Sequence, residues 1–262
     1  MNLALLILSC LIFECLGMAI AWSVAKKINN YSIVDALWAL SFPVLALPIY
    51  FFSPGYDHRK LIFGGLFLLW GLRLGGYLMK RILSHLHEED GRYQDMRKSF
   101  GDHIEARFFS FYQFQAVSVI LLLGPLFIVS QNEDALIHPI EWVGVAIWIL
   151  GLIGESVADH QMASFKKDKS NRGKICEKGL WYYSRHPNYF FEAVMWFAYG
   201  IFSLGSPHGV AVLYAPLIMW FLLLKVTGVP YAETQNLKSK GDLYRHYQKT
   251  TSIFIPLPKR KA

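Results

Sequence analysis

The sequence predicts an all-α fold: a polytopic membrane helix bundle with about seven transmembrane helices. Three observations carry that prediction. Hydrophobic residues make up 54% of the 262 residues and charged residues only 17%, against about a quarter charged in soluble domains. The apolar residues gather into runs of bilayer-spanning length. The basic residues fall between those runs, largely on one side of the alternation.

The runs follow in order. Asn2–Ala25 ends at Lys26 and Lys27. Ser32–Phe52 carries Asp35 near its start, and Leu61–Leu83 follows Arg59 and Lys60. Phe111–Ser130 precedes Gln131-Asn132-Glu133-Asp134, which has no basic residue. Ile140–Asp159 leads to a long polar loop, after which Tyr189–Phe202 is the shortest run and Gly209–Gly228 the last. With the C-terminus set in the cytoplasm, the inside segments receive 22 of the 26 Lys and Arg residues. That split places the N-terminus outside and the C-terminus in the cytoplasm. The net charge of +7 therefore reads as topology, and no nucleic-acid partner is expected.

No repeat or low-complexity segment breaks the chain, so residues 1–262 read as a single membrane domain. The N-terminus lacks a basic stretch before its apolar run, which argues against a cleaved signal peptide. Cys10, Cys15 and Cys176 have neither metal nor disulfide spacing. Two long inside loops, about 80–110 and 160–187, could cap the bundle together with the tail. Asp242–Tyr247 reads as part of a short interfacial helix. Ile255-Pro256-Leu257-Pro258 reads as extended, before a basic Lys259-Arg260-Lys261 terminus.

Ionisable groups at membrane depth cost roughly 2.5–3.5 kcal/mol on insertion scales and are functional candidates by default. Glu14 can simply pair with a neighbouring span. Asp35 is either a first-turn acid complementing the helix dipole or an acid that polarises a substrate carbonyl. Arg73 lies deep enough to bind an anion or pair with an acid. Glu155 and Asp159, spaced i, i+4, share a helix face, and Lys166 continues it. Asn188 and Glu192 repeat the spacing. Two such faces form either a structural network or a site for a polar-headed molecule. Arg185-His186-Pro187-Asn188-Tyr189 is the most specific short motif. Pro187 starts a helix, leaving Arg185 and His186 at its mouth, either as a phosphate site or as a topology signal.

These residues resemble the membrane steroid 5α-reductase superfamily, which also holds isoprenylcysteine carboxyl methyltransferases and sterol reductases. The resemblance is strongest from about Glu155 to Pro256 and is closest to a bacterial 5α-reductase-like branch of unknown function. It rests on Asp35 with Trp38, Trp70-Gly71-Leu72-Arg73, Glu89-Asp90 with Arg92-Tyr93, and the Arg185–Tyr189 pentapeptide. It implies a bacterial inner-membrane protein that binds NADPH from the cytoplasm and reduces a conjugated double bond in a steroid-like or other lipid enone. The cofactor-binding half would be about 140–258. The resemblance implies cofactor-contacting roles for Arg73, Arg92, Tyr93, Glu155, Asp159, Lys166, Arg185, His186, Asn188, Tyr189 and Glu192. Asp35 stands nearest the reductases' substrate-polarising Glu. Trp70 occupies the place of their Tyr, so Tyr77 on the same helix could supply the hydroxyl. No metal is implied. Glu233, Tyr244 and Tyr247 before Ile255-Pro256 also look like the methyltransferase ending. S-adenosylmethionine is therefore the alternative cofactor, and a non-catalytic lipid-binding or transport protein is the third reading.

Overall fold

A computed structural model describes residues 1–260, so Lys261 of the basic terminus lies outside the described residues. The described chain is helical, and its one bridge of β type joins Ser184 to Ser252. Six stretches are long and apolar enough to cross a bilayer: Leu3–Ile28, Ile33–Phe52, Asp57–Ser84, Gly91–Val129, Pro139–Lys167 and Gly209–Lys240. The short run around residues 189–202 forms a helix of 17 residues, which rises only about 25 Å at 1.5 Å per residue, below the ~30 Å hydrocarbon core. The protein is thus an all-α multi-pass membrane protein with six full-length candidate spans among the described residues. The chain's contacts divide into two compact units, the first comprising Met1–Ile137 with Ser206–Val212. The second comprises His138–Gly205 and the described residues from Leu213 onward.

In the first unit, α1 (Leu3–Ile28) starts where Asn2 caps the Ala4 N–H and stops at Asn29, whose φ of 54° turns the chain. Its buried stripe is Leu6, Cys10, Glu14, Met18, Ala21 and Ala25, while Leu5, Leu8, Ile12 and Leu16 face outward. Glu14 accepts a 2.5 Å hydrogen bond from Ser41 on α2 (Ile33–Phe52), which satisfies a polar group that lipid could not. α3 (Asp57–Ser84) packs closely on α2 through two glycines one turn apart. A Cβ on Gly71 would lie 2.4 Å from Pro43, and one on Gly75 would lie 2.6 Å from Leu40. Small residues at this spacing let helices approach in a bilayer. The Trp70-Gly71 pair of the sequence motif is therefore packing: Trp70 is fully buried, edge-on to Trp38 and Phe42. Polar α4 (Gly91–Phe100) follows, then α5 (Ile104–Leu122) and α6 (Gly124–Val129), parted at Gly124-Pro125.

In the second unit, α7 (Pro139–Lys167) and α9 (Pro187–Ser203) form an antiparallel pair. Gly144 lies against Phe202, and Gly151 against Phe191 and Met195. That register sets Glu155 level with Phe191 and Glu192. A four-residue turn, α8 (Leu180–Tyr183), lies between them in sequence. α10 (Tyr214–Phe221) continues through a π-type turn into polar α11 (Val229–Lys240). Gly241, at φ 53°, then turns the chain into α12 (Asp242–Thr250), the short helix expected from Asp242–Tyr247.

Candidate functional site

Polar side chains gather in two clusters, one in each unit. The first is built by the Glu89–Tyr93 segment. Asp90 caps α4 by accepting the Arg92 N–H at 3.0 Å and pairs with Arg81 at 2.6 Å. The cap points Arg92 and Tyr93 at Asp35 in the first turn of α2. Asp35 accepts from Arg92 Nη2 at 2.5 Å and from the Tyr93 hydroxyl at 2.7 Å. Tyr93 is fully buried among Phe108, Phe111 and Tyr31. The side chains of Asp35 and Arg92 stay 23% and 29% exposed. Glu89 braces the cluster, accepting the Tyr31 N–H at 2.8 Å and a bidentate pair from Arg97 at 3.0 Å each. Among the described residues the Arg92 side chain bonds only through Nη2, so its Nε and Nη1 hydrogens can meet a ligand.

This geometry changes what Asp35 can do. Both its oxygens accept, so the proton-bearing groups beside it are Tyr93 and Arg92. Tyr77, expected to provide a hydroxyl, stands 65% exposed on α3. The phenol at Asp35 belongs to Tyr93. Arg73, one turn before Tyr77, is half-buried on α3.

The second cluster starts from the pentapeptide. Arg185 and His186 are buried and converge on Glu233 of α11. Arg185 binds Glu233 with Nε at 2.9 Å and Nη2 at 3.1 Å, and His186 Nε2 donates at 2.8 Å. Tyr244 and Gln248 each donate to the same carboxylate at 2.6 Å. Arg185 Nη1 also clamps the Gln248 and Thr251 carbonyls at 3.0 and 2.7 Å. Burial first, then the hydrogen bond to Glu233, pushes the Tyr244 phenol above its ordinary range. Arg185 and His186 thus spend their donors within the protein, which argues against the phosphate-site reading for them. Glu233, absent from the sequence-derived cofactor set, is the hub. Its signal was the Glu–Tyr–Tyr spacing toward the tail.

Beyond the hub, Pro187 starts α9, and Tyr189 stacks on His186 at 5.7 Å between ring centres. The side-chain oxygen of Asn188 is buried and has no hydrogen-bond partner among the described residues. One turn on, buried Glu192 accepts from Trp196 Nε1 at 3.0 Å. Glu155 is buried at the level of Glu192, whereas Asp159 and Lys166 are exposed toward the end of α7. The expected faces therefore form a buried pair, Glu155 and Glu192, with Asn188 beside it, and an exposed rim at Asp159 and Lys166. A buried amide oxygen without a partner is rare in native proteins and accepts from an N–H or O–H supplied by water or a ligand.

A family model described as a protein of unknown function (DUF1295) matches residues 21–251. An uncharacterized protein of Schizosaccharomyces pombe is 26% identical, with 90% of this chain and 76% of the relative covered. Two rodent proteins named 3-oxo-5-alpha-steroid 4-dehydrogenase 1 are also similar. The mouse protein is 29% identical over 47% of this chain and 45% of its own length, and the rat protein 28% over 47% and 44%. The matches span less than half of each rodent protein. No solved structure matches.

Proposed function

The chain belongs to the DUF1295 family of proteins of unknown function, and from that premise we propose that it is an NADPH-dependent reductase of a conjugated carbon–carbon double bond in a lipid enone. The name of the rodent relatives describes 4-dehydrogenation of a 3-oxo steroid. The reverse of that reaction saturates a double bond conjugated to a ketone. The unpartnered, buried side-chain oxygen of Asn188 carries the proposal, because it is an acceptor awaiting a polar ligand beside Glu155 and Glu192.

The residues present fit a dinucleotide. Asn188 accepts from an amide or hydroxyl, as the carboxylates of Glu155 and Glu192 can from ribose. Exposed Lys166, Lys167 and Arg172 offer charge to phosphates, in place of the internally paired Arg185 and His186. NADPH supplies a hydride equivalent when bound. In the first unit, taken by itself, Arg92 offers N–H donors to a ligand oxygen, with Asp35 fixing its guanidinium and Tyr93 holding Asp35 from the buried side. Asp35 is then a positioning residue, and the charge-poor outer loops support a cytoplasmic face for this chemistry.

Thermal unfolding of detergent-purified protein with NADPH, NADH and S-adenosylmethionine tests the reading. NADPH should raise the midpoint in the wild type and raise it much less in Asn188→Ala. Stabilisation by S-adenosylmethionine alone would favour the methyltransferase alternative that the Glu233 hub resembles in sequence. Stabilisation by none of the three would leave a lipid-binding protein.

A further inference from the structure

An apolar strip lies exposed on a part of the second unit that belongs to none of the six full-length spans. α8 is pinned to the end of α7's apolar stretch. The Trp181 indole donates to the Ala158 carbonyl at 2.8 Å, and Gln161 accepts the Leu180 N–H at 2.9 Å. Ala158 and Gln161 flank Asp159 and His160, where α7 turns from apolar to polar. This fixes α8 beside the point where α7's apolar stretch ends.

The C-terminal strap is tied along α8 and the residues after it. The Arg185 N–H reaches the Ser252 carbonyl at 2.9 Å, Ser184 Oγ the Phe254 carbonyl at 2.7 Å, and the Leu257 N–H the Tyr183 carbonyl at 3.0 Å. Along the strap burial alternates. Phe254 is turned inward at 6% exposure, while Ile253, Ile255 and Leu257 stand 44%, 55% and 45% exposed. Period-2 alternation puts those three on one face. Tyr182 and Tyr183 stand out beside them at 41% and 45%. Lys249 and Arg260 are exposed at the two ends of the strap, where the Arg260 N–H meets the Thr250 carbonyl.

We propose that Tyr182, Tyr183, Ile253, Ile255 and Leu257 form an interfacial anchor that sinks into the headgroup–acyl boundary, with Lys249 and Arg260 meeting anionic lipid headgroups. Tyrosines favour that depth, basic residues beside it are drawn to anionic lipid, and an apolar patch at a span's end has the bilayer as its neighbour. The anchor does not depend on the reductase reading. It adds a membrane contact to the tail that the Arg185–Glu233 hub holds in place.

The test places an environment-sensitive fluorophore at Ile255→Cys, and separately at Ile253→Cys, in a Cys15→Ser background. Cys10 and Cys176 are buried and resist labelling. The full-length protein is reconstituted in nanodiscs of phosphatidylcholine, with or without phosphatidylserine. The anchor predicts blue-shifted emission, strong quenching by lipids spin-labelled near the headgroup and weak quenching by aqueous iodide, with deeper lipid quenching when phosphatidylserine is present. Strong iodide quenching at both positions overturns the proposal. So does a blue shift that vanishes in discs holding one copy, because a second protein copy then covers the strip. Equal lipid quenching in the two lipids overturns the headgroup half.

Discussion

Replacing Glu233 with alanine removes a carboxylate that accepts five hydrogen bonds, two of them from Arg185 and one each from His186, Tyr244 and Gln248. The Arg185 side chain is only 8% exposed, so its charge would be left buried without its partner. Breaking such a buried pair from one side destabilises by about 3–5 kcal/mol, whereas an exposed pair is worth about 0–1 kcal/mol. Glu233→Ala should therefore lose stability in the upper range. The combined Arg185→Met and Glu233→Leu variant should lose less than the sum of its two single changes, because the stranded charge is gone. Denaturant titration in micelles, followed by tryptophan fluorescence, gives the four free energies of that cycle. Limited proteolysis should cut the strap after Thr251 faster in the alanine variant, since Arg185 also holds the Gln248 and Thr251 carbonyls. A loss below about 1 kcal/mol, with strictly additive variants, would refute the hub as a stabilising element.

Gly144→Val should weaken the α7–α9 pair, since a Cβ there would lie 2.9 Å from the Phe202 backbone nitrogen. A loss of about 1–3 kcal/mol is expected in the same titration, and an unchanged midpoint would contradict the packing. Stability should also fall in alkali. The folded Tyr244 phenol resists deprotonation beyond its ordinary value of 10.0, so its contribution is whole below about pH 10 and is lost above it. Tyr244→Phe should flatten part of that decline, leaving the share of Tyr247, which burial also pushes upward. An alkaline profile identical to the wild type would exclude Tyr244 from it.

The spans were legible because lipid imposes a length and a polarity that composition alone reveals. Leu5, Leu8 and Ile12 face outward, and their apolar character shows in any window. The run at residues 189–202 was legible as a helix, although its 17 residues fall short of the other spans. The partnerships of charged residues were harder to read. Arg185 sits 48 residues from Glu233 and Asp35 57 from Arg92, and no helical period links such distances. A buried arginine and a phosphate-binding arginine look the same in sequence. Only the converging carboxylate shows which one Arg185 is. Asp159 and Lys166 share a face with Glu155 by spacing, yet α9 covers one end of that face and leaves the other open.

Isotope transfer follows the proposed hydride from cofactor to lipid enone. Purified protein in nanodiscs would receive NADPH deuterated at the nicotinamide C4 together with a panel of 3-oxo-4-ene steroids and other lipid enones, with products read by mass spectrometry. The expected product is saturated and carries one deuterium on the carbon β to the carbonyl, formed by wild type and strongly reduced in Asn188→Ala. An unlabelled lipid panel after complete incubation, alongside a methyl group transferred from S-adenosylmethionine in the parallel reaction, would contradict it.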